Sequence, residues 1–251
     1  MDLGQLTQYL DAHLRLSEFR DAGEALNGLQ VESRQGEVTR VAVAVDACAA
    51  TIALAAAAGT DLLLVHHGLF WGGLRPITGP LYRRVAALLR HDIALYSAHL
   101  PLDCHPDVGN NPVLARQLGV SIRGEFGVHN GRSIGIWGEV SVERDALMDR
   151  IRNLLGGEPR LLPFGPERVA RVGIITGAGA SATSQAAAAG LDTFITGEGP
   201  HWTFFDAEEL GVNVVLAGHY ATETVGVKAL AAHLETRFGL PWVFLDHPTG
   251  L

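Results

Sequence analysis

Leu3, Leu6, Leu10 and Leu14 recur at helical spacing, so the chain opens with an amphipathic helix. Asn27-Gly28-Leu29-Gln30-Val31 follows and reads as a loop. The apolar run from Val41 to Val45 predicts a buried strand, and an alanine-rich helix ending at Gly59 comes next. Alanine is the strongest helix former, and glycine just past the end suits a left-handed cap. Asp61 to Val65 predicts a second buried strand that runs straight into His66-His67. Leu81 to Leu89 is helical, and Ile93 to Tyr96 is a third strand, soon followed by His99. Strands alternating with helices predict parallel α/β architecture.

The middle of the chain reads differently. Ser133 to Val140 predicts a strand among glycines, and Ser141 is placed to cap a helix from Val142 to Leu155, ended by Gly156-Gly157. Leu161 to Gly165 is extended, and Val169 to Ile175 opens a second α/β run. That run repeats the first. Residues 41–67 and 172–198 align at an offset of 131, and both carry Ala-Ala-Ala-Ala-Gly-x-Asp before a strand. Ala98-His99-x-x-x-Asp103 likewise matches Gly218-His219-x-x-x-Glu223, with the extra residues of the first half assigned to the loop from Gly72 to Pro80. The expected fold class is α/β, with two similar α/β lobes related by an internal repeat. Lobe one covers about 1–120, a linking strand and helix segment about 121–168, and lobe two about 169–251, all within a single family domain. Histidine and carboxylate at strand ends in both halves place the expected site between the lobes.

Composition narrows the chemistry. Hydrophobic residues make up 47% and charged residues 18%, a globular balance. The net charge of −8 argues against a chain-wide nucleic-acid surface, although Arg34, Arg40, Arg83 and Arg84 could form a local basic lining. Two cysteines cannot make a disulfide framework or a thiolate zinc site, so a metal must sit on histidine and carboxylate. The N-terminus lacks a basic stretch followed by an apolar one, and the longest apolar run, Ala47 to Ala58, is short of the ~20 residues that span a bilayer. A cytoplasmic protein without membrane contact is the expectation.

Candidate chemistry lies in the eleven histidines. His66 and His67 would face opposite ways on a continuing strand, but directly past its end, in a turn, both can converge on one region. A surface pair is the alternative. His99-x-x-x-Asp103 and His219-x-x-x-Glu223 each set an imidazole four residues before a carboxylate, a donor mix that suits Zn, Mn, Fe, Co or Ni. Pro101 makes the first of these a turn leading to a helix near Val113. A carboxylate can also bridge two metals ~3.5–4 Å apart. Glu198 aligns with His67 and could act as a general base beside an activated water, its alternative being an ordinary acid at a helix start. His99, His201 and Trp71 are candidates to stand behind the ligands or on the substrate side. Gly177-Ala-Gly179-Ala-Ser181 could hold phosphate, but it matches no established phosphate loop. No Gly-x-Ser-x-Gly elbow is present, and Cys104 lacks a motif for covalent catalysis.

Taken together, Asn27 to Val31, Val65-His66-His67-Gly-x-Phe70-Trp71, Ala98-His99-x-Pro101-Leu102-Asp103 and Gly218-His219-Tyr220-Ala-Thr-Glu223 resemble the signatures of the NGG-interacting-factor-three-like family. Its members carry the name GTP cyclohydrolase 1 type 2 homologue. The resemblance implies two α/β lobes with a dinuclear metal site between them, in a toroidal homohexamer. It puts the metal ligands on His66, His67, Asp103, His219 and Glu223, and leaves His99 off the metals. Glu223 is expected to bridge both ions and Asp103 to serve one. Many members have proline where this chain has Gly68, and the stretch from Gly119 to Val172 leaves no room for the domain that longer members insert. Two divalent cations against two carboxylates make a net cationic site, which favours a small anionic substrate such as a nucleotide. The expected activity is that of a metal-dependent hydrolase working through a metal-activated water. The alternative is a non-catalytic metal-binding or regulatory scaffold that forms a ring. Leu69, Phe70, Trp71, Leu74, Trp202, Phe204 and Phe205 are apolar side chains expected in loops, and their burial favours a closed oligomer.

Overall fold

The computed structural model describes residues 1–19, 21 and 25–251. They form two units, Met1–Val108 with Val227–His247, and Gly109–Gly226 with Pro248–Leu251. Each is an α/β unit with its own sheet.

In the first unit, helix α1 (Leu3–His13) leads to strand β1 (Gly28–Val31). Then come β2 (Val41–Asp46), α2 (Ala49–Ala57), β3 (Leu62–His67), α3 (Gly79–His91), β4 (Ala94–Ser97) and the short α4 (Leu100–Cys104). The last strand of the chain, β11 (Trp242–Phe244), joins this sheet in parallel beside β2, giving the order β1-β4-β3-β2-β11. Helices cover both faces, which is why these strands are continuous apolar runs. Leu62 and Leu64 of β3 face Leu6 and Leu10 of α1, while Leu63 and Val65 face Ile52 of α2 and Leu88 of α3.

The second unit holds α5 (Asn110–Leu118), a hairpin of β5 (Ser121–His129) and β6 (Arg132–Glu143), and α6 (Arg144–Leu155). It continues through β7 (Arg160–Pro163), β8 (Arg168–Ile174), α7 (Thr183–Ala188), β9 (Thr193–Thr196), α8 (Thr203–Leu210) and β10 (Asn213–Leu216). The strand order is β5-β6-β8-β9-β10-β7. Helix α9 (His219–Phe238) starts in this unit and ends in the first.

The repeat is real at the level of hydrogen bonds. In each unit three parallel strands run in chain order, β2-β3-β4 and β8-β9-β10, and an antiparallel strand, β1 or β7, edges the third. The shared Gly-x-Asp motif has a defined job. Asp61 accepts from the backbone N–H of Thr39 and Arg40, and Asp192 accepts from those of Ala170 and Arg171, so each aspartate ties down the entry to the preceding strand. Arg40 and Arg171 return the contact to the carbonyls of Ala58 and Ala189 at the end of the alanine helix. Burial works to raise the Asp61 carboxyl, but bonds from Thr39, Gln35 and Arg40 outweigh it and hold it below the usual carboxylate range. A carboxyl depressed in the fold stabilises above its unfolded pKa, and that contribution is lost as pH falls through the folded value. Asp61→Ala is therefore expected to cost about 1–2 kcal/mol at neutral pH, and less in acid. Urea unfolding at pH 7 and pH 3 measures both, and an equal cost at the two would contradict the argument.

Three local readings change. Residues 28–31 form a strand rather than a loop, because β4 supplies antiparallel partners for them. Ser141 lies inside β6 and accepts from Arg168, and α6 begins at Arg144; pairing of Val142 and Glu143 with β8 extends the strand past the expected cap. The 100–104 segment is a short helix, with Pro101 in its first turn, where a missing N–H leaves no helical bond unmade. Strand β5 is an addition to the expected elements, although Asn130-Gly131, both at positive φ, is a strong hairpin signal.

Candidate metal centre

The carboxyl ends of parallel strands are where α/β sheets gather ligands. In the first unit β2 ends on Asp46, β3 on His66-His67, and β4 is followed by Ala98-His99. The histidine pair is the end of β3 itself, not a turn beyond it. Each ring leans along the sheet edge toward a different neighbour. His66 Nδ1 donates to Ala98 O at 2.9 Å, and His67 Nδ1 donates to Asp46 Oδ1 at 2.9 Å, while the ring centroids stay 4.6 Å apart. His99 Nδ1 donates to Asp21 Oδ1 at 2.6 Å. Asp103, buried in α4, has Oδ1 3.6 Å from His66 Nε2. His66, His67 and His99 each offer a nitrogen within 4.8 Å of the others.

The second unit has a matching edge. His219 is the first residue of α9 and Glu223 lies one turn on, so the two share a helix face with Nε2 3.3 Å from Oε1. Glu198, in the segment after β9, accepts from His219 Nδ1 at 2.8 Å. The hydrogen bond to Glu223 is the main cause that pushes His219 up to about 9; burial opposes it, and the charges of Glu223 and Glu198 add to the rise. Gly177 follows β8 at φ +64°, and a Cβ there would overlap Glu223 Oε1, so the glycine makes room for the carboxylate. Its loop is not set up for phosphate, because Gly177 N and Gly179 N donate to the hydroxyls of Thr222 and Thr196.

These residues fit a divalent transition metal. Every one of the four imidazoles has Nδ1 facing an oxygen acceptor, so the neutral ring carries its lone pair on Nε2. Outer partners of this kind orient metal-bound histidines. Imidazole nitrogen with carboxylate oxygen, and no thiolate, is the donor chemistry of Zn, Mn, Fe, Co and Ni. Asp46 and Asp21 were missed from sequence. Asp46 had a signal, as the single acid closing an apolar strand.

Residues 1–249 match the Duf34/NIF3 (NGG1p interacting factor 3) family. The chain belongs to that family. It is 46% identical over 249 residues to the GTP cyclohydrolase 1 type 2 homolog of Deinococcus radiodurans, covering 98% of this chain and 94% of that protein. It is 45% identical to the protein of the same name in Halobacterium salinarum, with 100% of both covered. Among solved structures, TTHA1606 from Thermus thermophilus superposes with a TM-score of 0.90 at 46% identity, and protein ybgI, of unknown function, with 0.93 at 38%; both cover 100% of each chain.

Within this NIF3-family chain, the Asn-Gly-Leu-Gln motif has a supporting role. Asn27 accepts from His99 N and donates to Asp21, and Gly28 sits at φ +101°. Gln30 accepts from Leu69 N and fills the space beside Gly68, where a Cβ would clash with it. A side chain at position 68 would therefore have to displace the amide end of Gln30 from its bond to Leu69 N. Trp71 donates to Gly68 O and sets its ring against His99 at 4.9 Å. His201 is exposed and meets Phe205 edge-on. Phe204 and Phe205 lie on α8 rather than in a loop, Leu69 is buried, and Trp202 at the start of α8 is 62% exposed. Among the described residues, no helix is long and apolar enough to cross a membrane.

Proposed function

We propose that this protein is a metal-dependent hydrolase with two divalent cations, held by His66, His67, Asp103, His219 and Glu223. Its substrate is a nucleotide or a related anionic compound. The observation that carries the reading is the uniform engagement of Nδ1 in the four imidazoles, with His66 and His219 each turning Nε2 to a carboxylate. Divalent cations bound there would supply Lewis acidity, polarising a substrate oxygen and lowering the pKa of water toward ~7. Asp46 and Glu198 hold the rings of His67 and His219 in position. Glu198 is half-exposed beside His219 and is our candidate proton acceptor. Trp71 offers a flat apolar wall for a heterocycle. The name borne by the relatives supports a purine nucleotide among the substrates.

The test is metal analysis by mass spectrometry after gentle purification, followed by turnover of GTP and a nucleotide panel before and after chelation. Two transition-metal ions per chain, and turnover that stops on chelation and returns with Zn²⁺ or Mn²⁺, are expected. One ion or none, with no uptake of added metal, would refute the dinuclear centre. Two ions without turnover would leave a metal-binding scaffold.

A further inference from the structure

Apart from the metal ligands, a second group of histidines packs together in the first unit. Tyr9 and His13 stand one turn apart on α1, His233 comes from α9, and His105 follows α4. The His13 ring stacks on His233 at 4.3 Å and lies 4.4 Å from His105. Tyr9 stacks on His13 and His233, and Phe238 meets Tyr9 edge-on at 4.8 Å. Tyr9 Oη shares a hydrogen bond with His233 Nε2 at 2.5 Å. Stacked rings send their nitrogens sideways rather than toward a common point, so this group is not a donor set for an ion.

The bonding decides which ring can take a proton. Both nitrogens of His105 are committed to backbone: Nε2 donates to His13 O at 3.1 Å, and Nδ1 accepts from Asp107 N and Val108 N at 3.2 Å each. His13 differs. Its Nε2 is buried and has no hydrogen-bond partner among the described residues. A neutral imidazole tolerates this as a bare lone pair, whereas an imidazolium would bury an unpaired N–H and a charge. Burial first, then His105 and His233, push His13 down to about 4, against the pull of Asp107. Tyr9 on its own helix, and Arg15 just beyond it, which acts on His105, are the other titratable groups at the stack. More than the stack depends on α1 staying docked. Leu6 and Leu10 cover Leu62 and Leu64 of β3, and Asp11 accepts from the Tyr96 hydroxyl of β4 at 2.8 Å.

We propose that the stack of Tyr9, His13, His105 and His233 is an acid-operated latch: a proton on His13 breaks the packing that pins the last turn of α1 to α9, and α1 lifts from the sheet. The proposal does not draw on the metal-centre reading. A histidine whose pKa is lowered in the fold takes its proton more readily once α1 is open. The latch is therefore closed above the unfolded value of 6.5 and weakens as pH falls from there toward about 4.

The experiment is hydrogen–deuterium exchange of the full chain as purified, at pH 7 and pH 5, with each rate divided by the intrinsic rate at that pH. Opening of α1 is expected to rise about tenfold from pH 7 to pH 5. The full shift of His13 would give roughly twice that, and its partial exposure screens the rest. Amides of α6 in the second unit are the reference and should show no such rise. In His13→Gln, which cannot take the proton, α1 should open more at pH 7 but no longer respond to pH. Any metal lost in acid is lost from both proteins, so the comparison isolates His13. NMR titration of the His13 ring in the wild type is the second measurement and needs no variant: a midpoint well below 6.5 supports the latch. A midpoint at 6.5, the same rise in His13→Gln as in the wild type, or a rise in α6 equal to that in α1 would overturn it.

Discussion

The Glu223→Gln variant is expected to lower the metal content from two ions per chain to one or none, with the fold preserved. Glu223 is 2% exposed, one helical turn after His219, and its carboxylate sits in the space that Gly177 leaves open. Glutamine has nearly the same shape, so no cavity forms. What is lost is the negative charge and one oxygen donor, and a neutral amide is a poor ligand for a transition metal. Asp103→Asn removes a charge beside His66 only and should weaken a single ion. Metal analysis of both variants, with circular dichroism as the check on folding, decides the matter. Equal losses from the two would contradict a bridging role for Glu223.

Metal uptake should release a proton and strengthen with pH, by about tenfold per unit between roughly pH 7 and pH 9. The cause is the pairing of His219 in the metal-free protein. Its hydrogen bond to Glu223, opposed by burial and reinforced by the charges of Glu223 and Glu198, pushes the imidazole up from 6.5 to about 9. At neutral pH the ring is therefore an imidazolium, and an incoming cation must displace its Nε2 proton. Linkage runs the other way for the metal-free fold. A histidine whose pKa is raised on folding contributes stability below the unfolded value of 6.5, and that contribution disappears as pH rises through about 9. The metal-free protein thus loses stability over the range in which it gains metal affinity. Calorimetric Zn²⁺ titration in buffers of different ionisation enthalpy should find this proton released at pH 7 and its release reduced to about a quarter near pH 9.5. Equal release at the two pH values would count against the paired state.

Much of this was legible because the signals are local. The Ala-Ala-Ala-Ala-Gly-x-Asp repeat could be seen in the sequence since helix propensity and the left-handed glycine act within a short stretch of chain, whereas the job of its aspartate, bonded to backbone 21 or 22 residues earlier, could not. The same holds for His219 and Glu223, which share a face by helical periodicity alone. Strand β11 and the true start of α6 were not legible, because each depends on a partner strand far away in the chain.

The sequence by itself determined the kind of chemistry available: imidazole and carboxylate donors without thiolates, placed by an α/β alternation at the carboxyl ends of strands. Only the tertiary structure decided how those imidazoles are aimed. The acceptors that set His66, His67, His99 and His219 lie 32, 21, 78 and 21 residues away, three of them on a strand or the segment that follows one and the fourth, Asp21, in the segment before β1. Asp21 looks like any loop aspartate until the fold brings it behind His99. An imidazole can present either nitrogen, and the choice belongs to whichever oxygen the fold sets against the other one.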